Sequence, residues 1–293
     1  MSKKLPSGIT RTFLEQVPLP NHGGRYAPIA HKSIIDNSLT EIVSRNLNVE
    51  TELYSSTHNG NVANGKIILS NGADSELQMM FIWGNSYDKS TRFKCGIGAY
   101  IKHTGAYLFA GDLSSFSRKH TGTANQEAME MIQTQLSQAN AYYNVLCKSK
   151  DEMKTRSLTM RQMSEILGVL FVEKEYLNKE QMTVIADRIR NEVKMFENLP
   201  FNNMWNFYNI IAYAMKDGHP KFWFENQSGV HKFFITELMN SPITNVAAIN
   251  PVIESNLNQL NLLDQIEEAE SNQKTDTISL NVFDDVSLDL PEL

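Results

Sequence analysis
The chain has 293 residues, 41% hydrophobic and 20% charged, a composition that supports one large folded domain or two small ones and excludes an intrinsically disordered chain. Its formal net charge of −6 is unevenly spread, because nine acids against Lys274 alone lie from Asp264 onward and leave residues 1–263 with a net +2. No run approaches the roughly 18 apolar residues of a membrane span, and the start lacks the apolar core of a signal peptide, so the expected compartment is the cytoplasm, the host's if the chain is phage-encoded. Cys95 and Cys147 are far apart, and the seven histidines show no HxH or HxxxH pairing. Neither a disulfide framework, a metal site nor a cofactor is therefore indicated.

In chain order, residues 1–24 are rich in Pro, Gly and polar types and read as an N-terminal arm, with Pro6, Pro18 and Pro20 opposing regular structure. Ile34, Ile35, Leu39, Ile42 and Val43 fall at helical spacing and predict a helix over 33–45. From Val49 to Asp112, short apolar or alternating runs are separated by Asn59-Gly60, Asn64-Gly65, Asn71-Gly72 and Thr104-Gly105. Asn-Gly tolerates positive φ at both central turn positions, so these pairs read as hairpin turns. Strands follow near 49–57, 66–70, 76–84, 92–102 and 105–111, with the continuously apolar LQMMFIWG as the central one.

After Thr123 the pattern turns helical. One helix is predicted from Asn125 through Cys147, two more behind the capping boxes Thr159/Gln162 and Asn178/Gln181, a fourth over 203–216 and a fifth over 229–239. The fold class is α+β: an antiparallel, sheet-rich N-terminal half packed against a helical C-terminal half. The core domain spans 25–245, a further helix is expected within 246–270, and 271–293 is an acidic, mobile tail.

The densest positive charge lies between Ser86 and His120, where Lys89, Arg92, Lys94, Lys102, Arg118 and Lys119 face only Asp88 and Asp112. These cations alternate with Phe93, Tyr100 and Tyr107, the combination that nucleic-acid surfaces use for phosphates and stacked bases. At period two, Arg92 and Lys94 share one strand face, read as basic and solvated, while Phe93 and Cys95 share the other. Arg118, Lys119 and His120, just before a helix, add a second cationic element; the plainer alternatives are an ordinary solvated sheet face and a self-capped loop. Asp88, His103, Asp112 and His120 contain the raw material of acid–base or metal chemistry, but their spacing fixes no distances. The aromatic groups Trp205 to Tyr213 and Phe222 to Phe234 read as core, with Asp217, His219 and Lys221 in a loop between them as part of a potential cleft.

Three short motifs, NSYDKS (Asn85 to Ser90), RKHTG (Arg118 to Gly122) and WNFYNIIAYAMKDGH (Trp205 to His219), resemble in order and spacing the phage/plasmid-like protein family of unknown function, the YfjQ/YafZ-like prophage proteins. The resemblance spans about residues 25–225. That family's first motif usually reads Ser-His-Asp-Gly-Ser, so Tyr87 and Lys89 stand in place of its His and Gly. What the resemblance implies is context: a mobile-element protein acting in DNA maintenance, replication, recombination or defence evasion.

The tail ends NVFDDVSLDLPEL, and its interleaved Phe283, Asp284, Asp285, Leu288, Asp289 and Leu290 are similar in composition to the C-terminal tips with which single-stranded-DNA-binding proteins recruit partners. The expectation is a DNA-associated accessory protein of a phage or plasmid, binding single-stranded DNA and recruiting replication or recombination proteins through its tail. Two alternatives stand beside it: a protein-binding inhibitor of a host defence or nuclease system, and a metal-dependent enzyme.

Overall fold
The computed structural model describes residues 9–21, 27–70, 72, 74–109, 115–118, 124–191 and 203–239. Their elements are α1 (Arg11–Gln16), α2 (His31–Ser44), β1 (Val49–Ser56), β2 (Val62–Leu69), β3 (Leu77–Ser86), β4 (Phe93–Ile101), β5 (Ala106–Phe109), β6 (Ser115–Arg118), α3 (Ala124–Ser137), α4 (Ala139–Lys154), α5 (Met160–Gly168), α6 (Lys179–Arg190), α7 (Met204–Met215) and α8 (Pro220–Lys232). Short π-helical segments, Val169–Glu173 and Phe233–Leu238, extend α5 and α8. The architecture is α+β, as the turn and periodicity signals predict. The expected helix within 246–270 and the acidic tail lie outside the described residues.

The sheet is an antiparallel meander in the order β1-β2-β3-β4-β5, with β6 pairing the first half of β4. Gly98 pairs with Phe109 and Gly96 with Ser115, so β4 is paired by β5 along its second half and by β6 along its first. The apolar run expected at the centre is the central strand β3, buried along nearly its whole length. Pairing sorts the side chains between two faces. Phe81, Trp83 and Asn85 share one, on which α2 lies with α3 beside it. Met80 and Ile82 share the other with Ile68, Tyr107 and Phe109, and there Trp223 and Phe224 of α8 close the core.

Asn64-Gly65, expected as a turn, lies inside β2, because Trp83 crosses from β3 directly over Gly65. A Cβ on that glycine would stand 2.2 Å from the indole Nε1. The Asn64 amide donates at 2.9 Å to the Pro220 carbonyl at the start of α8. The single helix expected over 125–147 is two, broken where Gln138 leaves helical geometry. Buried Ala128, Ile132, Leu136, Ala139, Tyr143 and Leu146 keep one apolar stripe in phase across that break, so periodicity does not mark it.

The fifth helix begins nine residues earlier than expected, with the His219 Nδ1 accepting from the Lys221 amide as an N-cap and Pro220 in the first turn. The described part of the N-terminal arm is also ordered: Thr10 caps α1, Leu14 is buried, and Ile9 bridges to Tyr54. Both capping boxes form with reciprocal bonds.

Among the polar groups buried in this core is His31. His31 stacks on Tyr87 with ring centroids 4.0 Å apart, its Nε2–H donates to the Gly60 carbonyl and its Nδ1 accepts from Asn85, both at 3.0 Å. These two bonds use a single neutral tautomer. Burial pushes His31 down to about 4, against the smaller upward pull of the Gly60 bond, and pushes His231 down to about 3.

The unfolded chain therefore takes up these protons first. The stability of the two neutral rings is complete above pH 6.5, the ordinary imidazole value, and is lost as pH falls toward the folded values. The denaturant midpoint should drop between pH 6.5 and 4, with a contribution on the order of 3 kcal/mol from His31. His31→Gln should flatten that slope; a midpoint independent of pH across the window would contradict the assignment.

Candidate functional site
The cations expected to form one basic hairpin occupy separate places. Lys89, at φ 62°, and Arg92 are exposed in the β3–β4 turn, and Arg118 pairs through its backbone with Phe93 at that same end. Lys102 and His103 lie at the opposite end of β4, a nine-residue strand about 26 Å long. The Lys102 amine donates to the Asp74 carbonyl at 2.9 Å.

Lys94 and Tyr100 lie on the face covered by α8: Lys94 is ion-paired with Glu225 and 5.7 Å from the Phe224 ring, and Tyr100 is 6.0 Å from Tyr107. A solvated basic sheet face is thus not what these residues build, because a helix covers it. Lys119, His120, Asp112 and the tail residues Phe283, Asp284, Asp285, Leu288, Asp289 and Leu290 lie outside the described residues. Asp88 and His103 stand at opposite ends of β4, and among the described residues no group of three or more His, Cys, Asp or Glu is placed to hold a metal.

The NSYDKS motif is accounted for by local architecture. Asn85 donates to the Ile29 carbonyl at 2.7 Å as well as to His31, the Tyr87 hydroxyl accepts from the His31 amide at 2.8 Å, and Asp88 accepts from the Ser90 amide at 2.9 Å. Together these bonds fasten the chain entering α2 to the end of β3 and close the turn.

The unusual chemistry lies under α8. Lys66 of β2 is 7% exposed, and its ammonium sits 4.2 Å from the centroids of both the Tyr107 and Trp223 rings. Desolvation pushes the amine down to about 8, and the charge of Asp217 opposes part of that shift. A cation held between ring faces gains from their quadrupoles, and the gain grows as water is removed. The geometry keeps a positive charge inside a layer that is otherwise apolar.

Trp223 also borders a cavity of about 310 Å³ between the start of α6 and the α7–α8 corner. Asn178 and Gln181 line one side; His219, Phe222 and Asn226 line the other, with Glu175 at φ 54° beside Asn178. The carbonyl oxygens of Asn178 and Gln181 are committed to their capping box, which leaves both side-chain NH2 groups as donors toward a ligand. His219 accepts at Nδ1 from the Lys221 amide at 3.2 Å, so its neutral ring carries the proton on Nε2.

Cations stacked on rings surround this corner. The Arg188 guanidinium lies 3.5 Å and the Lys216 amine 4.1 Å from the Tyr213 centroid, and the Lys221 amine lies 5.3 Å from that of Phe222, a ring 54% exposed. Of the stretch read as a loop with Asp217, His219 and Lys221, only Gly218 and His219 line the cavity and Lys221 belongs to α8, while the opposite wall at Asn178 and Gln181 reads from sequence only as a helix cap. No family model, curated protein or solved structure matches the chain.

Lys66 yields a direct test. Its folded value lies below the ordinary lysine value of 10.5, so the unfolded chain keeps the proton longer, and stability should rise as pH goes from 8 to 10.5. Lys66→Met should remove that rise and stabilise the protein below pH 8 by about 1–3 kcal/mol in a denaturant titration. A less stable Lys66→Met protein would show that the ring contacts outweigh the cost of burial.

Proposed function
We propose that the chain is a DNA-associated accessory protein of a phage or plasmid that favours single-stranded DNA and acts in replication, recombination or genome protection. The observation that carries this reading is the cation–ring surface at the α6–α8 corner, where Arg188, Lys216 and Lys221 accompany Tyr213 and Phe222. Single strands expose both phosphates and base faces, and a surface of cations and rings engages both at once. Asp217 and Glu175 interrupt the positive charge there, which favours a short contact over a long electrostatic track.

The exposed Lys89 and Arg92 at the β3–β4 turn are a second set of cations in this reading, joined by Arg118, whose backbone pairs with Phe93, and by Lys119 and His120, which follow it in sequence. The acidic tail recruits replication or recombination proteins and competes with DNA for the same cations. The resemblance of the three short motifs to the phage/plasmid-like family supplies the mobile-element context.

Fluorescence anisotropy with a labelled single-stranded oligonucleotide tests this directly. Affinity of the full chain should fall by roughly tenfold or more between 50 and 200 mM salt, as expected when two or more phosphates are neutralised. Lys216→Glu should weaken binding at 50 mM salt by about tenfold and truncation after Gln273 should tighten it. No binding, or binding indifferent to salt and to Lys216→Glu, would overturn the proposal.

A further inference from the structure
The cavity beside Trp223 has features that a phosphate-binding surface does not require. It is about 310 Å³, the lower end of the size range of small-molecule sites, and its polar lining consists of three side-chain amides, one imidazole and the Glu175 carboxylate, with no cation. Asn178 and Gln181 each offer an uncommitted NH2, His219 offers Nε2–H, and Asn226 offers both a donor and an acceptor with no partner among the described residues. Trp223 is 3% exposed, and its indole N–H has no acceptor among the described residues. Phe222 supplies an open ring at the rim, with Lys221 adjacent. Donors in excess, one exposed carboxylate at Glu175 and a ring at the mouth match a flat heterocycle that bears carbonyl or ring-nitrogen acceptors and an exocyclic amine.

We infer that this cavity receives one base of the bound single strand, stacked on Phe222 and hydrogen-bonded to Asn178, Gln181 and Asn226, while Lys216 and Lys221 hold the flanking phosphates. The inference rests on the nucleic-acid reading above and adds to it a base-contacting site. Its separation from the Lys66 box is a single residue, Trp223, whose ring contacts that buried cation and also lines the cavity. A base entering the cavity therefore meets a wall fixed by the sheet.

The test uses the full chain, a labelled single-stranded oligonucleotide and the same oligonucleotide with abasic sites. Phe222→Ala removes an exposed ring and should leave the thermal midpoint unchanged, yet weaken binding of the intact strand about tenfold, within the range of one lost base stack. It should leave the abasic strand's affinity unchanged. Asn226→Ala should weaken the intact strand severalfold and the abasic strand not at all. Salt-sensitive binding of both strands that neither variant alters would overturn the base site while the nucleic-acid reading survives. If the unmodified protein binds neither strand, that reading fails, and the base site fails with it.

Discussion
Burial of Trp223 and Phe224 against the second face of the sheet is the contact on which the rest of this structure depends. A five-stranded antiparallel meander has two faces to cover, and α2 and α3 take only the one that carries Trp83. The other face is closed by the first two turns of α8, with Phe224 4.4 Å from Phe109 and Trp223 5.7 Å from Tyr107. Each buried aromatic side chain contributes a few kcal/mol, so these two secure both the sheet and the corner that leads into α8. That corner is where His219, Pro220 and the Asn64 bond set the helix direction, and it is also the rim of the cavity. Packing and candidate function thus use the same few residues.

Lys66 gives this arrangement its cost. An ammonium taken out of water loses hydration that two ring faces and a more distant Asp217 return only in part, which is why its proton is held less tightly than in an exposed lysine. An apolar side chain of the same length would fill that space without the penalty. The charge lies behind the Trp223 wall of the cavity. By contrast, the pairs that join the β2–β3 connection to the helices, Asp74 with Lys150 and Glu76 with Lys154 and Trp205, are complete and tie α4 and α7 to the sheet end.

Much of the fold is legible in the sequence because its signals are local. LQMMFIWG is apolar on both faces and becomes the central strand; Thr159/Gln162 and Asn178/Gln181 satisfy each other's backbone donors and start helices where expected. What escapes is long-range. Asn64-Gly65 has the chemistry of a turn, but Trp83 needs a residue without a side chain beneath it, and the pair becomes strand. Phe222 and Trp223 both read as core, but a helix starting at Pro220 buries only Trp223 and leaves Phe222 exposed at the rim. The scattering of Lys89, Arg92 and Lys102 to two ends of β4 follows from strand length, and the screening of Lys94 follows from a helix more than a hundred residues later in the chain. For the candidate site, His219 is visible as a cleft margin, whereas Lys66 appears only as one lysine in a mostly apolar run, VANGKIIL.

In the proposed function the helical corner, and not either helix-covered face of the sheet, meets nucleic acid. The measurement that addresses it most directly is amide hydrogen exchange of the full chain with and without a saturating single-stranded oligonucleotide, read peptide by peptide. The account predicts slowed exchange within 174–190 and 213–226, with a smaller effect in the β3–β4 turn. Unchanged exchange in both helical segments, with protection confined to other parts of the chain, would contradict it.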